Sequence, residues 1–152
     1  MFRGLNAVAV DDKGRIAIPA RYRDVIEKEA KSLLVTTIDT EERCLLLYPY
    51  PNWEQIEQKL ENLPSYHPAS RRVQRLLIGH ATELEMDRNG RILIPSVLRE
   101  YAGLGQNVML VGQGKKFEIW GESQWDSARD GWLADELQND DDLPPDLKTL
   151  SL

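Results

Sequence analysis

Two stretches of this sequence are near copies of each other: DDKGRIAIPARYR at residues 11–23 and DRNGRILIPSVLR at residues 87–99. Aligned on their Gly-Arg pairs, they keep a constant offset of 76 residues, the distance from Gly14 to Gly90. The matched positions include Asp11/Asp87, Gly14/Gly90, Arg15/Arg91, Ile18/Ile94, Pro19/Pro95 and Arg23/Arg99. Because spacing is kept as well as residue type, we interpret the two stretches as an internal duplication.

Each copy predicts the same local order of elements. A polar turn with a glycine, which takes positive φ without steric cost, separates two short apolar strands, and a proline suited to a helix start follows. We call residues 11–15 and 87–91 the GR turns. The pattern predicts that strand 5–10 pairs with strand 15–18 as a hairpin, and strand 82–86 with strand 91–94.

The predicted fold class is mainly β with peripheral helices (α+β), as a duplicated barrel-like body with pseudo-twofold symmetry. Each half reads strand–GR turn–strand–helix–strand–turn–strand, which is close to the lower size limit for independent stability. Two such halves would cover each other's apolar faces and strand edges. The predicted divisions are a first repeat, connecting helices, a second repeat, and a closing helix with an acidic tail, at residues 1–52, 53–80, 81–124 and 125–152.

Past the later turn of each half the offset falls to 72, from Trp53 to Trp125, so we expect the second of these turns to be four residues shorter. Both tryptophans are predicted to pack between helix and barrel. Trp132 and Leu137 extend the closing helix, and the Pro-containing acidic segment from residue 139 is expected to be mobile.

The acidic charge is concentrated at one end of the chain. The net charge is −6, but residues 121–152 hold nine acidic and two basic residues, which leaves residues 1–120 at +1. Overall acidity therefore does not exclude a polyanionic partner. A single cysteine, and no apolar run of the ~18 residues that a membrane span needs, indicate a cytoplasmic protein without disulfide or membrane partner.

Catalysis has little support in the sequence. The histidines are His67 and His80 and the thiol is Cys44, with no metal-type grouping among them. His80 is predicted to be a buried or capping residue and Cys44 a core residue. The GR turns lack the spacing of phosphate-binding loops. We therefore predict no enzyme activity, catalytic residue, metal, cofactor or small-molecule substrate.

Long cations recur beside the glycine in both GR turns: Lys13 and Arg15 in the first, Arg88 and Arg91 in the second. One interpretation is a solvated hairpin tip, in which the aspartates bond the turn and pair with the arginines. The other is nucleic-acid binding, because a turn needs its glycine but not an arginine. Arginine matches guanine O6 and N7 bidentately, and lysine contacts phosphates.

Other arginines have structural interpretations. Arg71, Arg72 and Arg75 lie on one predicted helix, where a structural or inter-subunit role is favoured over DNA contact. Arg23 and Arg99 follow the helix starts and are predicted to pair locally.

Several segments together resemble one family: MFRG at 1–4, the first GR stretch, RRVQRLLIGHATELEMDRNGRILIP at 71–95 and FEIW at 117–120. They closely resemble the MraZ family of bacterial transcriptional regulators, which are AbrB/SpoVT/MazE-like proteins with swapped-hairpin DNA-binding domains. The resemblance extends from Met1 to about Trp125.

The resemblance implies two AbrB-like domains per chain, in a ring-shaped homo-oligomer associated with the nucleoid. It also implies a repressor that binds double-stranded promoter DNA at short G-containing tandem repeats, including those of its own promoter in the division and cell-wall gene cluster. The family's DNA-binding positions fall on Arg15 and Arg91 first, then on Lys13 and Arg88, with Gly14 and Gly90 holding the turns. Asn89 stands where the first turn has Lys13, so the two turns are expected to contribute unequally.

A second hypothesis remains open: an antitoxin-like protein-binding module. In it the body is a scaffold and the acidic C-terminal segment engages another protein.

Overall fold

The computed structural model describes residues 1–135 and 143–152. The strands are β1 (Phe2–Ala9), β2 (Arg15–Ala17), β3 (Leu33–Ile38), β4 (Leu45–Pro49), β5 (Thr82–Glu85), β6 (Arg91–Leu93), β7 (Asn107–Gly114) and β8 (Phe117–Gly121). The helices are α1 (Ala20–Ala30), α2 (Tyr50–Glu61), α3 (Pro68–Val73), α4 (Ser96–Ala102), α5 (Glu122–Ala134) and α6 (Pro145–Lys148). A π-helical turn (Gln74–Ile78) directly follows α3.

Strand pairing joins the two halves of the chain, which we define as residues 1–80 and residues 81–135. Six strands form an antiparallel sheet in the order β1-β7-β8-β4-β3-β5, and β2 pairs with β6 in a separate ladder. The pairs β1–β7, β5–β3, β4–β8 and β2–β6 each take one strand from each half. The hairpins β3–β4 and β7–β8 lie within a half, as predicted.

Two expectations about the sheet are corrected. The predicted hairpins across the GR turns are wrong, because β1 and β5 pair with strands of the other half. Each GR turn is closed instead by its own backbone bonds. Asp11 N donates to Arg15 O at 3.0 Å and Gly14 N to Asp11 O at 3.0 Å, and in the second turn Asp87 N donates to Arg91 O at 2.9 Å and Gly90 N to Asp87 O at 3.0 Å. The sheet order also leaves β1 and β5 as edges, so the described strands form an open sheet and not a closed barrel. The α+β class, dominated by an antiparallel sheet, is confirmed.

The strand register repeats the duplication. In the β2–β6 ladder Ile16 lies opposite Ile92, which is its own copy in the second half. In the β4–β8 ladder Leu46 lies opposite Glu118, its counterpart at the offset of 72. A position that faces its own copy is what a twofold relation between two halves requires.

The shortening of the second half is divided between two places. Val8 and Leu84 are copies of each other at the offset of 76. Val8 pairs with Val108 and Leu84 pairs with Leu34, so Leu34 and Val108 are also copies of each other, at an offset of 74. Two of the four missing residues therefore precede β7, where α4 has seven residues and α1 has eleven. The expectation that the turn alone is shorter is wrong.

The main core lies between the sheet, the β2–β6 ladder, α1 and α4. Alternation along β7 sends Val108 and Leu110 into this core, where both are fully buried. Phe2 stacks on Phe117 at 4.3 Å between ring centroids. The Tyr22 hydroxyl donates to Arg3 O (2.9 Å) and accepts from Arg3 N (3.1 Å), which occupies the backbone of an edge strand at that point.

The outer face of the sheet is covered by helices. In the first half, α2 buries Trp53, and the π-helical turn is anchored by the Thr37 hydroxyl, which donates to Leu77 O at 2.7 Å. In the second half, α5 buries Trp125 against Trp120, with ring centroids 5.7 Å apart. The predicted packing role of Trp53 and Trp125 is confirmed.

The C-terminal expectations are met in part. Helix α5 begins at Glu122 and ends at Ala134, whereas Leu137, predicted to belong to it, lies outside the described residues. The short helix α6 lies in a segment for which the sequence predicts mobility, and it buries none of its residues. Among the helices of the described ranges, none combines the length and the apolar character needed to cross a membrane.

Candidate functional site

The β2–β6 ladder brings the two GR turns together. Ile16 and Ile92 at its centre are buried in the core at 0% and 1% exposure. Because side chains alternate along a strand, Arg15 and Arg91 lie on the opposite, outward face, diagonally across the ladder. Arg15 is paired with Leu93 and Arg91 with Ala17.

The aspartate at the start of each turn organises its backbone. Asp11 Oδ1 accepts bonds from Lys13 N (2.9 Å) and Arg15 N (2.8 Å), and Asp87 Oδ1 accepts from Asn89 N (2.8 Å) and Arg91 N (2.9 Å). The glycines take φ of +90° at Gly14 and +75° at Gly90. The expected turn role of both aspartates is confirmed, and the positive φ explains the recurrent glycine.

Each turn is also fastened to the other half. Ile94 N donates to Gly14 O at 3.0 Å, and Ile18 N donates to Gly90 O at 2.8 Å. These reciprocal bonds hold the tips in fixed positions at opposite ends of the ladder. The two GR turns therefore form one unit, and neither is an independent loop.

Two further arginines cover the turns, and the sequence interpretation missed this. The Arg99 guanidinium lies over Gly14, and that of Arg23 lies over Gly90, so that a Cβ on either glycine would collide with it. Arg23 Nε donates to Ile18 O at 2.8 Å and Arg99 Nε donates to Ile94 O at 3.0 Å, which confirms the expected local pairing. Their recurrence at the 76-residue offset was the available signal, but it did not indicate a crossing to the other half.

The site has one shared carboxylate. Arg15 Nε donates to Asp11 Oδ2 at 2.7 Å, and Arg91 Nη1 lies 3.8 Å from the same oxygen. Arg91 Nε lies 3.6 Å from Asp87 Oδ2. Since both guanidinium groups approach one oxygen atom, they lie on a common face of the molecule. Their side chains are 29% and 34% exposed, so they are half-buried and not extended into solvent.

The electrostatics of the two turns are unequal. The backbone N–H of Arg15 is the main cause that lowers the pKa of Asp11 from 3.8 to about 2, and the Arg15 side chain adds to it. The Arg91 N–H, followed by that of Asn89, lowers the pKa of Asp87. The carboxylates stay ionised at neutral pH and partly offset the arginines. Arg15 is held more tightly than Arg91 because its Nε makes a direct charge-assisted bond.

The remaining predicted site residues lie at the tips of the GR turns or beneath their covering arginines. Lys13 and Arg88 are exposed at the tips, whereas Gly14 and Gly90 are buried beneath the covering arginines. The turns and their covers hold three aspartates against six cations: Lys13, Arg15, Arg23, Arg88, Arg91 and Arg99. The surface is therefore locally basic in an acidic chain.

The candidates for other chemistry have structural roles. His67 is the N-cap of α3 and accepts from Ala69 N at 3.1 Å, while His80 Nδ1 is 2.7 Å from Leu76 O. Cys44 is fully buried, and its burial raises the pKa of the thiol. Within the described ranges no three His, Cys, Asp or Glu residues are grouped to hold a metal ion.

Comparison with known proteins agrees with the duplication. The family model described as "MraZ protein, putative antitoxin-like" matches twice, at residues 1–76 and 77–141. Curated relatives called transcriptional regulator MraZ are 78% identical in Coxiella burnetii, 56% in Legionella pneumophila and 51% in Halorhodospira halophila, each over the full length of both chains. The chain belongs to the MraZ family.

Proposed function

We propose that this protein is a DNA-binding transcriptional regulator that reads promoter DNA through its paired GR turns. The observation that carries the proposal is that Arg15 and Arg91, from the two halves, share one outward face and approach the same Asp11 oxygen. The relatives' name, transcriptional regulator MraZ, supports the same class of function.

Each residue of the site has a distinct proposed role. Arg15 and Arg91 contact guanine O6 and N7 in the major groove, where a bidentate donor distinguishes G·C from other pairs. Lys13 and Arg88, exposed at the tips, contact phosphates and set the register. Asp11 orients Arg15 through Nε, which leaves the Nη atoms to face the base. Gly14 and Gly90 have no side chain and so leave room for the guanidinium groups of Arg99 and Arg23 over the turns.

The finer identity of the target follows the family resemblance. We propose a repressor of the division and cell-wall gene cluster, acting in the cytoplasm in association with the nucleoid, that binds short G-containing tandem repeats in its own promoter. We keep the division into repeats at 1–52 and 81–124, connecting helices at 53–80 and a closing segment at 125–152. The exchange of strands between halves supports a swapped-hairpin classification of the two repeats.

A ring of subunits is part of this proposal. One subunit offers few base contacts, so repeated half-sites would be bound tightly only through the effective concentration of neighbouring tips. Affinity should therefore rise steeply from one repeat to three. Equal affinity for one-, two- and three-repeat DNA would refute the avidity mechanism. No cofactor or catalytic step is needed.

The test is a mobility shift on the protein's own upstream region. The wild type is compared with Arg15→Ala and Arg91→Ala, and with Lys59→Ala as a matched control, because Lys59 is an exposed cation on α2, away from the ladder. We expect Arg15→Ala and Arg91→Ala to lose specific binding, and Lys59→Ala to bind as the wild type does. Unchanged, salt-resistant binding by both would refute the assigned roles.

The second candidate is an antitoxin-like protein-binding module, favoured by the family description and by the acidic C-terminal segment. Its test is removal of residues 136–152. Removal of residues 126–152 would also remove Trp132 of α5, which packs on Trp120 with ring centroids 5.7 Å apart, so its effect would not be specific to the acidic segment. A co-purifying protein that is lost with residues 136–152, without any DNA shift by the full chain, would favour this function.

A further inference from the structure

The outward face of the β2–β6 ladder carries two apolar side chains beside its two arginines. Arg15 lies opposite Leu93, and Arg91 lies opposite Ala17. The residue between them at the centre of each strand is buried in the core, so alternation along the strands places all four side chains on the outward face. The surface that we propose for DNA therefore includes a leucine.

Leu93 is the exposed member of this group. It is 53% exposed, whereas Arg15, Arg91 and Ala17 are half-buried. Its copy in the first half, at the offset of 76, is Ala17, which takes the equivalent place in the ladder opposite Arg91. Since an alanine is sufficient for strand pairing at the one position, the fold does not require a leucine at the other. The three additional carbon atoms of Leu93 are thus available to a partner on this face.

An apolar side chain on this face favours one base over the others. The major-groove edges of all four bases present hydrogen-bonding groups, and thymine adds an apolar C5-methyl group. A leucine placed against a hydrogen-bonding group leaves that group without a partner, which costs free energy, whereas against the methyl group it buries apolar surface. Cations close to Leu93 favour DNA as the partner, since Arg15 lies opposite it and Arg91 lies two residues before it on the same outward face.

We infer that Leu93 contacts the C5-methyl group of a thymine beside the guanine that Arg15 contacts. This inference rests on the proposed DNA binding and assigns a further specificity-determining residue to it. Opposite residues of an antiparallel pair have Cβ atoms about 5 Å apart, and successive base pairs are about 3.4 Å apart, so the thymine lies within about two base pairs of that guanine. At the other end of the ladder Ala17 lacks the carbon atoms that make this contact, so the methyl group is recognised at one position of the site.

Replacement of thymine by uracil tests the contact, because uracil pairs as thymine does and lacks only the methyl group. The probe is the shortest fragment of the protein's own upstream region that the wild type binds specifically, with one thymine replaced at a time. The variants are Leu93→Ala and, as a matched control, Leu5→Ala. Leu5 is 52% exposed but lies on the outer face of the sheet, where its cross-strand partner Val111 packs in the cluster of Trp120 and Trp125.

We expect the wild type to bind one of the uracil probes about fourfold more weakly than the thymine probe, which is the effect of burying about one methyl-sized group. Leu93→Ala should bind the two forms of that probe equally, and Leu5→Ala should keep the fourfold ratio. Equal affinity of the wild type for thymine and uracil at every position would overturn the inference, as would a fourfold ratio that persists in Leu93→Ala.

Stability shows whether Leu93 serves the fold instead. Because alanine already occupies the equivalent position of the first half, Leu93→Ala should unfold in urea at the same concentration as Leu5→Ala. A clearly lower midpoint for Leu93→Ala would assign the leucine to the fold and count against the inference.

A guanine analogue locates the thymine. In 7-deazaguanine a carbon atom replaces N7, one of the two acceptors that we assign to Arg15. The guanine that Arg15 contacts is the one whose replacement weakens binding by the wild type but not by Arg15→Ala. The thymine that depends on Leu93 should lie within about two base pairs of it, and a larger separation would overturn the inference.

The same titrations separate this inference from the proposed function. Specific binding that requires Arg15 but does not depend on any thymine methyl group would refute the inference and leave the DNA assignment intact. A wild type that does not bind its upstream region specifically would refute both.

Discussion

Substitution of Gly14 by alanine examines how the GR turns are built. Gly14 has φ of +90°, and a Cβ there would lie 2.7 Å from Arg99 Cζ and 2.8 Å from Arg99 Nε. The backbone strain should cost about 1–2 kcal/mol. Displacing Arg99, with loss of its 3.0 Å bond to Ile94 O, should add about 1 kcal/mol at this partly exposed position.

Two other glycines separate these contributions. Gly114 also has positive φ, +81°, but no atom lies within 4 Å of its Cβ position, so Gly114→Ala should show strain alone. Gly105 has neither positive φ nor a close neighbour, and Gly105→Ala should change stability by less than about 0.5 kcal/mol. We therefore expect Gly14→Ala to lose about 2–3 kcal/mol and Gly114→Ala about 1–2 kcal/mol.

The assay is urea unfolding followed by tryptophan fluorescence, at one fixed protein concentration because assembly shifts apparent stability. The decisive measurement is a double-mutant cycle with Arg99→Ala, which removes the obstructing guanidinium. In that background Gly14→Ala should cost no more than Gly114→Ala does in the wild type. An undiminished cost would show that Arg99 does not obstruct a side chain at position 14, and would contradict the finding that Arg99 of the second half covers the first GR turn.

Three further outcomes are expected. Arg15→Ala and Arg91→Ala should each weaken specific DNA binding by about 1–3 kcal/mol. Lys13→Ala should weaken binding to all DNA sequences alike and reduce the slope of log affinity against log salt concentration by about one. Titrations of specific and unrelated DNA at several salt concentrations distinguish the two patterns. The folded protein holds the pKa of Asp11 at about 2, below its ordinary 3.8, so the stabilisation that ionised Asp11 supplies is present above pH 3.8 and lost as the pH falls through 2. Asp11→Asn has no such carboxylate, and thermal melts should therefore show it losing less stability than the wild type over that pH range. Identical acid profiles for the two proteins would contradict this expectation. Thr37→Val should cost about 1–2 kcal/mol, because the buried Thr37 hydroxyl donates to Leu77 O at 2.7 Å; Thr40→Val, at a part-exposed position outside the strands, is the control in the same urea assay.

Several features of the fold follow from local signals. The 76-residue repeat fixed the two GR turns, because an aspartate before a glycine makes the same side-chain-to-backbone bonds in both copies. The stop of α4 at Gly103, with φ of +61°, follows from glycine's access to the left-handed region. The burial of Trp53 and Trp125 follows from helical apolar spacing. Each of these depends on residues within about one helical turn or one strand.

The sequence alone determined that this chain holds two similar units, each with a glycine turn bearing a long cation, and it supplied the family resemblance. Tertiary structure decided which strands pair: β1 pairs with β7 and not with the strand that follows its own GR turn, and β2 pairs with β6. It also placed Arg23 and Arg99 over the turn of the other half and put Arg15 and Arg91 at one carboxylate. Strand pairing between two similar halves buries the same apolar positions as strand pairing within each half would. Local periodicity cannot distinguish these arrangements, and the burial of the combined core selects between them.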